Sequence, residues 1–488
     1  MLKKNSRLEW HAYSAALTAV FIAAVVVLNV AVLAFAQFYE WYFYVTPKYE
    51  HTANNIAESY LHNEEDQEVE IIFCMEQDAL EADVIYNLVW QTALQFEEKY
   101  TFINVKNVNI YLDPDMVERY KPVYDREGEK IGEQSISRLS VIFSTEDKYT
   151  VYRLSDFFFL SSSQEIEAYN GEEIMASGVR YVLDDKRPIV AFTVGHGEQI
   201  SAPYAQLFIC AGYEIQTVEL SLEDIELHPD TEIVVCMNPL YDFEKAAQDS
   251  GLRTDIEKLE EFLRDGGTLH LFLDPYVKGL DNLRAMTEAY GLSVNDDVLR
   301  ADNTDAVSID GYTFMPTYAQ SDAARAIGAL TGQASDARLI AKDVASLTVN
   351  SENSKGALVE PLLFAGNNAT PYRGEDSVGE AGKYPFAALS TLEGEDSGKI
   401  FLLSGVFMTA KDILQSDQRA NRDFFYGLLE YTEDASTPKG ATSLVFESFL
   451  LENITVAETN RYARLLVLWI PLLVVAVGAF VTIKRKRA

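Results

Sequence analysis

The chain has 488 residues, of which 48% are hydrophobic and 24% are charged, so it is long enough for several folding units and is neither a disordered segment nor a coiled coil. Its 75 acidic and 40 basic side chains give a formal net charge of -35, which repels phosphate backbones and excludes nucleic acid as an expected partner. Three cysteines are too few for a disulfide framework or a zinc cluster.

Two apolar runs near opposite ends of the chain predict membrane-spanning helices at 13–38 and 465–483. Each is long enough to cross about 30 Å of hydrocarbon. Basic residues lie in the tails 1–12 and 484–488, on the terminal side of each run. The positive-inside rule therefore predicts a two-pass protein of the cell membrane, with the lipid bilayer as a partner, both termini cytoplasmic and the bulk of the chain extracytoplasmic.

A cleaved signal peptide is the alternative for the first apolar run. The sequence Ala34-Phe35-Ala36 fits an A-x-A cleavage site. The run is nevertheless longer than the usual apolar region of a signal peptide, which is about 7 to 15 residues. The pattern favours an uncleaved span, and cleavage stays open.

A first extracytoplasmic domain is predicted over 47–184. Strands at 69–73 and 105–112 flank a helix at 84–100, which gives a β-α-β unit that allows a thioredoxin-like arrangement. Cys74 stands without the second thiol that disulfide exchange requires, so redox activity is not expected. The other elements predicted in this domain are a hairpin at 140–143 and 148–153 and a helix at 165–183.

A second and larger domain is predicted over 187–445. A capping box at 254–257 starts one of its helices, and Gly266-Gly267 ends that helix. Such helices alternate with buried apolar strands, which predicts a parallel α/β sheet. The predicted strands are 189–194, 214–220, 233–237, 268–273, 386–392 and 399–404.

Between these strands, residues 303–383 are rich in Gly, Ser, Asn and Asp and show weak periodicity. We expect an irregular or peripheral insertion there. A helix at 422–431 is predicted to complete the sheet domain, and 446–464 would form a juxtamembrane segment leading to the second span.

Several polar residues follow predicted strands of the second domain, at the carboxyl ends where open α/β sheets place their ligands. His196 could act as a general base oriented by Glu198 or Asp274. No nucleophile elbow, phosphate-binding loop or set of metal ligands accompanies it, so we predict no catalytic residue, metal or cofactor. The pattern indicates a structural turn or a candidate interaction or ligand surface, formed by Gly195, His196, Gly197, Glu198, Asn238 and Asp274.

The order of several short motifs resembles the GldG-type auxiliary proteins of ABC transporters, a family first known from gliding motility. The motifs run from Pro188 to the basic tail and span most of the chain. They are 188–198, Gly212-Tyr213-Glu214, Asn238-Pro239, 263–268, Leu273-Asp274-Pro275, Asn282-Leu283, Tyr290-Gly291-Leu292, Ser404-Gly405, 421–430 and 460–487.

This resemblance implies a non-catalytic, membrane-anchored auxiliary component that works with a separate ABC-2-type permease and a cytoplasmic ATPase. It also implies a flavodoxin-like or class I glutamine amidotransferase-like second domain without the nucleophile. The chain has no Walker motif, so the ATPase would be another polypeptide. The expected fold class is therefore α/β, with two transmembrane helices flanking the two domains. A membrane-tethered ligand-binding receptor and a hydrolase of the amidotransferase-like fold are the alternatives.

Overall fold

The computed structural model describes residues 60–61, 67–160, 166–184, 186–222, 225–244, 253–331, 338–394, 397–416, 419–439, 441, 444–445, 455–469, 472, 476 and 478. The α-helices of this part are α1 (Gln77–Ala82), α2 (Val84–Lys99), α3 (Gly171–Leu183), α4 (Ala202–Cys210), α5 (Asp255–Arg264), α6 (Asp281–Ala289), α7 (Asp322–Thr331), α8 (Lys411–Leu414), α9 (Asn421–Glu433) and α10 (Val456–Arg464). Short 3-10 helices lie at Pro114–Tyr120, Leu154–Phe157 and Phe407–Thr409.

Short strands form most of the remaining regular structure. Those of the first third are β1 (Val69–Phe73), β2 (Ile103–Asn107), β3 (Pro122–Tyr124), β4 (Lys130–Glu133), β5 (Ser140–Ser144), β6 (Tyr149–Arg153), β7 (Phe158–Leu160) and β8 (Ile166–Tyr169). The later ones are β9 (Ile189–Thr193), β10 (Glu214–Val218), β11 (Thr231–Met237), β12 (Thr268–Phe272), β13 (Leu292–Val294), β14 (Val298–Ala301), β15 (Thr313–Phe314), β16 (Thr317–Tyr318), β17 (Ala341–Lys342), β18 (Leu347–Val349), β19 (Leu358–Phe364), β20 (Ala369–Arg373), β21 (Asp376–Ser377), β22 (Pro385–Thr391), β23 (Lys399–Leu403) and β24 (Leu444–Val445).

The largest sheet has eight strands in the order β10-β9-β11-β12-β23-β22-β19-β16. Its first five strands are parallel, and the last three join by antiparallel pairing. All five residues of β9 and all five of β12 are buried, which is typical of parallel strands covered on both faces. The described part of the chain is therefore mixed α/β with several sheets, the largest of which is largely parallel.

A second, mixed sheet has the order β2-β1-β5-β6. Strand β1 pairs in parallel with β2 and antiparallel with β5, so the segment between β1 and β2 forms a β-α-β crossover through α1 and α2. Asp83 caps α2 by accepting hydrogen bonds from the backbone N–H groups of Ile85 and Tyr86. Phe73 and Trp90 pack edge to face beneath this sheet, with ring centroids 5.1 Å apart.

Aromatic side chains fill one face of the large sheet. Phe401 of β23 is fully buried, and its ring centroid lies 5.4 Å from that of His270 and 5.9 Å from that of Phe272 on the neighbouring strand. Phe424 and Phe425 of α9 lie 6.3 and 6.4 Å from the Phe401 ring. Helix α9 thus covers the middle of the sheet through ring-to-ring contacts.

His270 is a buried histidine in the centre of this aromatic layer. The hydroxyl of Tyr204 and the Nδ1 of His270 form a hydrogen bond of 2.8 Å, and burial lowers the pKa of His270 to about 3. The ring is neutral at neutral pH, because a charge there would be surrounded by the rings of Tyr204, Phe208 and Phe401. His270 therefore acts as a core residue.

A buried polar network joins α3 to α9. Glu173 lies 3.3 Å from Arg422 Nη1, and its two oxygens also accept hydrogen bonds from Tyr426 Oη and Asn170 Nδ2. The side chains of Glu173 and Arg422 are 4% and 9% exposed, so the two charges compensate each other largely without water. The guanidinium also donates to the carbonyl of Ala441. These bonds tie together segments that are more than 200 positions apart in sequence.

The segment 303–383 is not a peripheral insertion, so that prediction is wrong. It supplies β16 and β19 to the large sheet, and β19 pairs antiparallel with β22. Pro361 in the middle of β19 coincides with a shift of register, where a residue without an N–H is tolerated. The strands of this segment are short and separated by polar turns, so the hydrophobic periodicity of the sequence did not indicate them.

The prediction of a two-pass membrane protein is also wrong. No helix among the described residues is both long and apolar enough to cross a membrane. Helix α10 has nine residues and carries Glu458, Arg461 and Arg464, and the apolar continuation described after it is a five-residue π-helix at Leu465–Trp469. A spanning helix needs about 20 apolar residues. The first predicted span, 13–38, lies outside the described residues, as do most of the second, 465–483, and both terminal basic tails.

Candidate functional site

The loop after β9 turns sharply at two glycines. Gly195 and Gly197 have φ angles of 108° and 76°, which L-residues with a side chain rarely adopt. A Cβ atom on Gly197 would lie 3.1 Å from Leu240 Cβ and 3.2 Å from the Tyr241 ring. The missing side chain lets the loop after β11 close over the turn, and Leu240 and Tyr241 both donate backbone hydrogen bonds to the carbonyl of His196.

His196 points inward from this turn and is held on three sides. Its Nε2 donates to Asp255 Oδ2 at 3.0 Å, and its Nδ1 lies 3.4 Å from Glu198 Oε1. The second Glu198 oxygen accepts the backbone N–H of His196 at 2.7 Å. The imidazole stacks on Phe243 with the ring centroids 3.9 Å apart and the planes 9° apart. Only 5% of His196 is exposed.

The two carboxylates determine the charge of this histidine. Burial by itself would lower the pKa of His196, but the hydrogen bonds and charges of Asp255 and Glu198 outweigh it and raise the pKa to about 9. Burial likewise favours the neutral form of both acids, and contact with His196 reverses that effect and lowers their pKa values. The imidazole therefore carries a proton on both ring nitrogens at neutral pH.

We expect the stability of the folded protein to fall at alkaline pH because of this site. The folded state holds the His196 proton more tightly than the unfolded chain does, so the stabilisation is complete below about pH 6.5, declines as the pH rises and is lost above about pH 9. The loss should be on the order of 3 kcal/mol. Urea unfolding from pH 6 to 10 measures it, with His196→Gln as the matched variant. Equal pH dependence in both proteins would contradict the assignment.

Asp255 is the functional neighbour that the sequence did not connect to His196. It is the first residue of α5, next to the capping residue Thr254, and it also accepts a hydrogen bond from the backbone N–H of Glu244 at 3.2 Å. The capping box at Thr254 and Glu257 is confirmed. A helix that follows a parallel strand begins at the carboxyl edge of the sheet, so an acidic first residue there could have been proposed as a partner for the histidine.

Asn238 and Asp274 lie at the ends of the adjacent strands β11 and β12. Asn238 has a left-handed φ of 50°, and its backbone N–H donates to the carbonyl of Phe272 at 2.9 Å. Asp274 Oδ1 accepts the backbone N–H of Tyr276 at 2.8 Å. Asp274 therefore stabilises its own turn, and the orienting role suggested for it toward His196 belongs to Asp255. All six predicted surface residues lie at one edge of the large sheet.

The three cysteines of the chain are buried and unpaired with one another. Burial raises the pKa of Cys74 and Cys210 to about 12 and that of Cys236 further still. A thiol in such an apolar environment stays protonated at neutral pH and is a poor nucleophile. Among the described residues, no group of three or more His, Cys, Asp and Glu side chains could hold a metal ion.

A cavity of about 420 Å³ lies away from this edge, between α7 and the start of α10. Its lining includes Tyr318, Leu339 and Thr455, together with Arg338 and Glu458, which are 3.5 Å apart. The volume is within the usual range for small-molecule sites.

The comparisons with known proteins give no family assignment. No family model matches the chain, and no curated protein matches it. Among solved structures, it is similar to the mmIFT52 N-terminal domain at 17% identity and a TM-score of 0.38, over 50% of this chain and 96% of that one.

Two further solved structures have lower similarity. PurLQS from Thermotoga maritima is 11% identical with a TM-score of 0.28, over 51% of this chain and 100% of that chain. Cytoplasmic protein STM3548 from Salmonella typhimurium is 9% identical with a TM-score of 0.28, over 50% of this chain and 98% of that chain. None of the three descriptions names a GldG-type protein or an ABC transporter. The predicted relation to that family stays a prediction.

Proposed function

We propose that the chain is a non-catalytic auxiliary component of an ABC transport system, which binds a separate ABC-2-type permease and ATPase. The observation that carries the non-catalytic part is the state of His196. A general base must have a free lone pair near its substrate, whereas this imidazole is protonated, bonded to Asp255 and covered by Phe243. His196 and its carboxylate partners thus stabilise the loops that follow β9 and β11.

The transport part of the proposal rests on the order of motifs that resembles the GldG-type proteins. The motifs that meet at the sheet edge are 195–198, Asn238-Pro239 and Asp274-Pro275, which end the neighbouring strands β9, β11 and β12. Loops of this kind, positioned on a rigid sheet, are where binding residues of a protein usually lie. Binding of a partner at this edge of the large sheet does not require a nucleophile, whereas catalysis by a hydrolase at the same edge would.

A ligand-binding receptor is the second candidate function, and the cavity beside α7 favours it. The cavity has apolar walls formed in part by Tyr318 and Leu339, and a charged pair, Arg338 and Glu458, at its border. That combination suits a small molecule with one polar end. Ligand-dependent thermal stabilisation of the purified protein would favour this candidate over the auxiliary role.

Recovery of the tagged protein at native expression tests the main proposal. We expect a mild detergent extract to yield a permease and an ATPase together with the chain, and the same partners with His196→Gln, provided that this variant folds. Recovery of the chain alone would contradict the proposal. Turnover of an amide, ester or phosphate substrate that His196→Gln abolishes, with the fold retained, would instead support the hydrolase alternative.

A further inference from the structure

Large apolar side chains are exposed on three consecutive strand ends of the large sheet. Ile200 follows β9, Leu240 and Tyr241 follow β11, and Tyr276 follows β12. Tyr241 and Tyr276 are 68% and 61% exposed. Because these strands are neighbours about 4.8 Å apart and all end at the same edge, the four side chains belong to one surface.

Carboxylates surround these apolar groups. Glu219 lies beside Gly195, Glu244 is exposed after Phe243, and Asp274 begins the turn that presents Tyr276. We call the whole set the carboxyl-edge surface: Ile200, Leu240, Tyr241 and Tyr276 with Glu219, Glu244 and Asp274.

Two of the basic side chains described near this edge are engaged by acids. Lys278 pairs with Asp296, and Lys342 lies 3.6 Å from Asp343. The carboxylates of Glu219, Glu244 and Asp274 make the described part of this surface acidic, in keeping with the net charge of the whole chain. A partner that approaches this surface gains electrostatically only if its own contact side chains are positive.

The backbone under the carboxyl-edge surface is fixed before any partner arrives. The His196 carbonyl accepts the N–H groups of Leu240 and Tyr241 at 2.8 and 2.9 Å. The Asp242 carboxylate accepts the backbone N–H of Asn282 at 2.8 Å, which anchors the same loop to the start of α6. Aromatic side chains on a preorganised backbone lose little freedom on binding, which favours affinity.

We propose that the carboxyl-edge surface binds a basic segment of a partner protein, with lysine or arginine side chains opposite Glu219, Glu244 and Asp274 and apolar side chains against Tyr241 and Tyr276. The proposal rests on the proposed function, since it names the partner chemistry of the same surface. In this proposal, the buried charges of His196, Glu198 and Asp255 hold in place the loops that carry Ile200, Leu240 and Tyr241.

A second exposed apolar group provides a matched control. Tyr111 and Leu112 are each 76% exposed on a turn that also carries Asp113 and Asp115, so that turn is both apolar and acidic. It is a single local stretch of chain, whereas the carboxyl-edge surface combines three strand ends. The carboxyl-edge surface and the turn at Tyr111 and Leu112 are both acidic and exposed. They differ in how firmly the backbone is held and in how many chain segments contribute.

A synthetic peptide that alternates lysine with leucine serves as the probe, with its glutamate-leucine counterpart as the negative probe. We expect the full-length protein to bind only the lysine peptide, more weakly as salt is raised. The double variant Tyr241→Ser with Tyr276→Ser should reduce the affinity about tenfold, and Tyr111→Ser with Leu112→Ser less than about twofold. Equal loss in both variants, or no loss in either, would overturn the proposal.

Partner recovery with the same variants separates this inference from the proposed function. If wild type and the Tyr241→Ser/Tyr276→Ser variant both recover permease and ATPase equally, the auxiliary role stands and the carboxyl-edge surface is not the docking site. If wild type recovers neither, the auxiliary role fails, and the peptide measurement still decides whether the surface binds basic segments. Circular dichroism of each variant confirms that the fold is retained.

Discussion

Replacing Arg422 with methionine is expected to lower the free energy of unfolding by about 3–5 kcal/mol. The substitution leaves the Glu173 carboxylate buried without its cation, and removal of one member of a buried pair costs far more than the pair contributes. Tyr426 and Asn170 still donate to Glu173, but two neutral donors do not balance a buried negative charge. Urea-induced unfolding of the full chain at neutral pH measures the loss.

The double variant Glu173→Gln with Arg422→Met is the control for this prediction. Both charges are then absent, and the amide oxygen introduced by Glu173→Gln can still accept from Tyr426, so we expect most of the lost stability to return. A double variant that is as unstable as Arg422→Met would show that the guanidinium contributes through its hydrogen bond to the Ala441 carbonyl, and not by compensating Glu173.

Replacing Phe401 with alanine should lower the free energy of unfolding by about 3–5 kcal/mol. The side chain is fully buried between β12 and α9, and its removal leaves a cavity bordered by the rings of His270, Phe272 and Phe424. Rings already in contact with one another can move only slightly to fill it. Thermal and urea unfolding of the variant measure the cost.

Phe401→Leu and Tyr241→Ala are the matched variants for that measurement. Leucine keeps most of the buried volume and should cost less than about 1.5 kcal/mol. Tyr241 is largely exposed, so its truncation should change stability by less than about 0.5 kcal/mol. A loss at Tyr241 comparable with the loss at Phe401 would contradict the described packing.

Local signals in the sequence were sufficient for the strands and helices around the site. The run predicted at 189–194 is observed as Ile189–Thr193, and the helix predicted at 422–431 is observed as Asn421–Glu433. The capping box at Thr254 is also present. Each of these depends on residues within a few positions of one another, such as a continuous apolar run or a cap followed three residues later by glutamate.

Contacts between distant residues could not be read in the same way. The bond between His196 and Asp255 joins positions 59 apart, and the ion pair of Glu173 with Arg422 joins positions 249 apart. Asp274 was an equally reasonable partner for His196 because it also follows a strand of the same sheet. The choice between Asp255 and Asp274 depends on how helix α5 packs, which a single sequence does not contain.

The two predictions that failed relied on composition over a long window. Glycine, serine and asparagine in 303–383 indicated an irregular insertion, whereas strands as short as Thr317–Tyr318 join the large sheet between polar turns. Apolar composition near the C-terminus indicated a spanning helix, whereas the described residues there form the charged helix α10 and a short π-helix.

The strand order of the large sheet also constrains how the chain can fold during synthesis. Strand β12 pairs on one side with β11, its predecessor, and on the other side with β23, so that Thr268 is opposite Lys399. Until the ribosome has released β23, which ends at Leu403, β12 is an unpaired edge that exposes backbone N–H and C=O groups. Such long-range parallel pairing is slow, and an open edge invites pairing with other chains. Strand β23 therefore joins the two halves of the sheet and also covers the edge of β12 that would otherwise be open to aggregation.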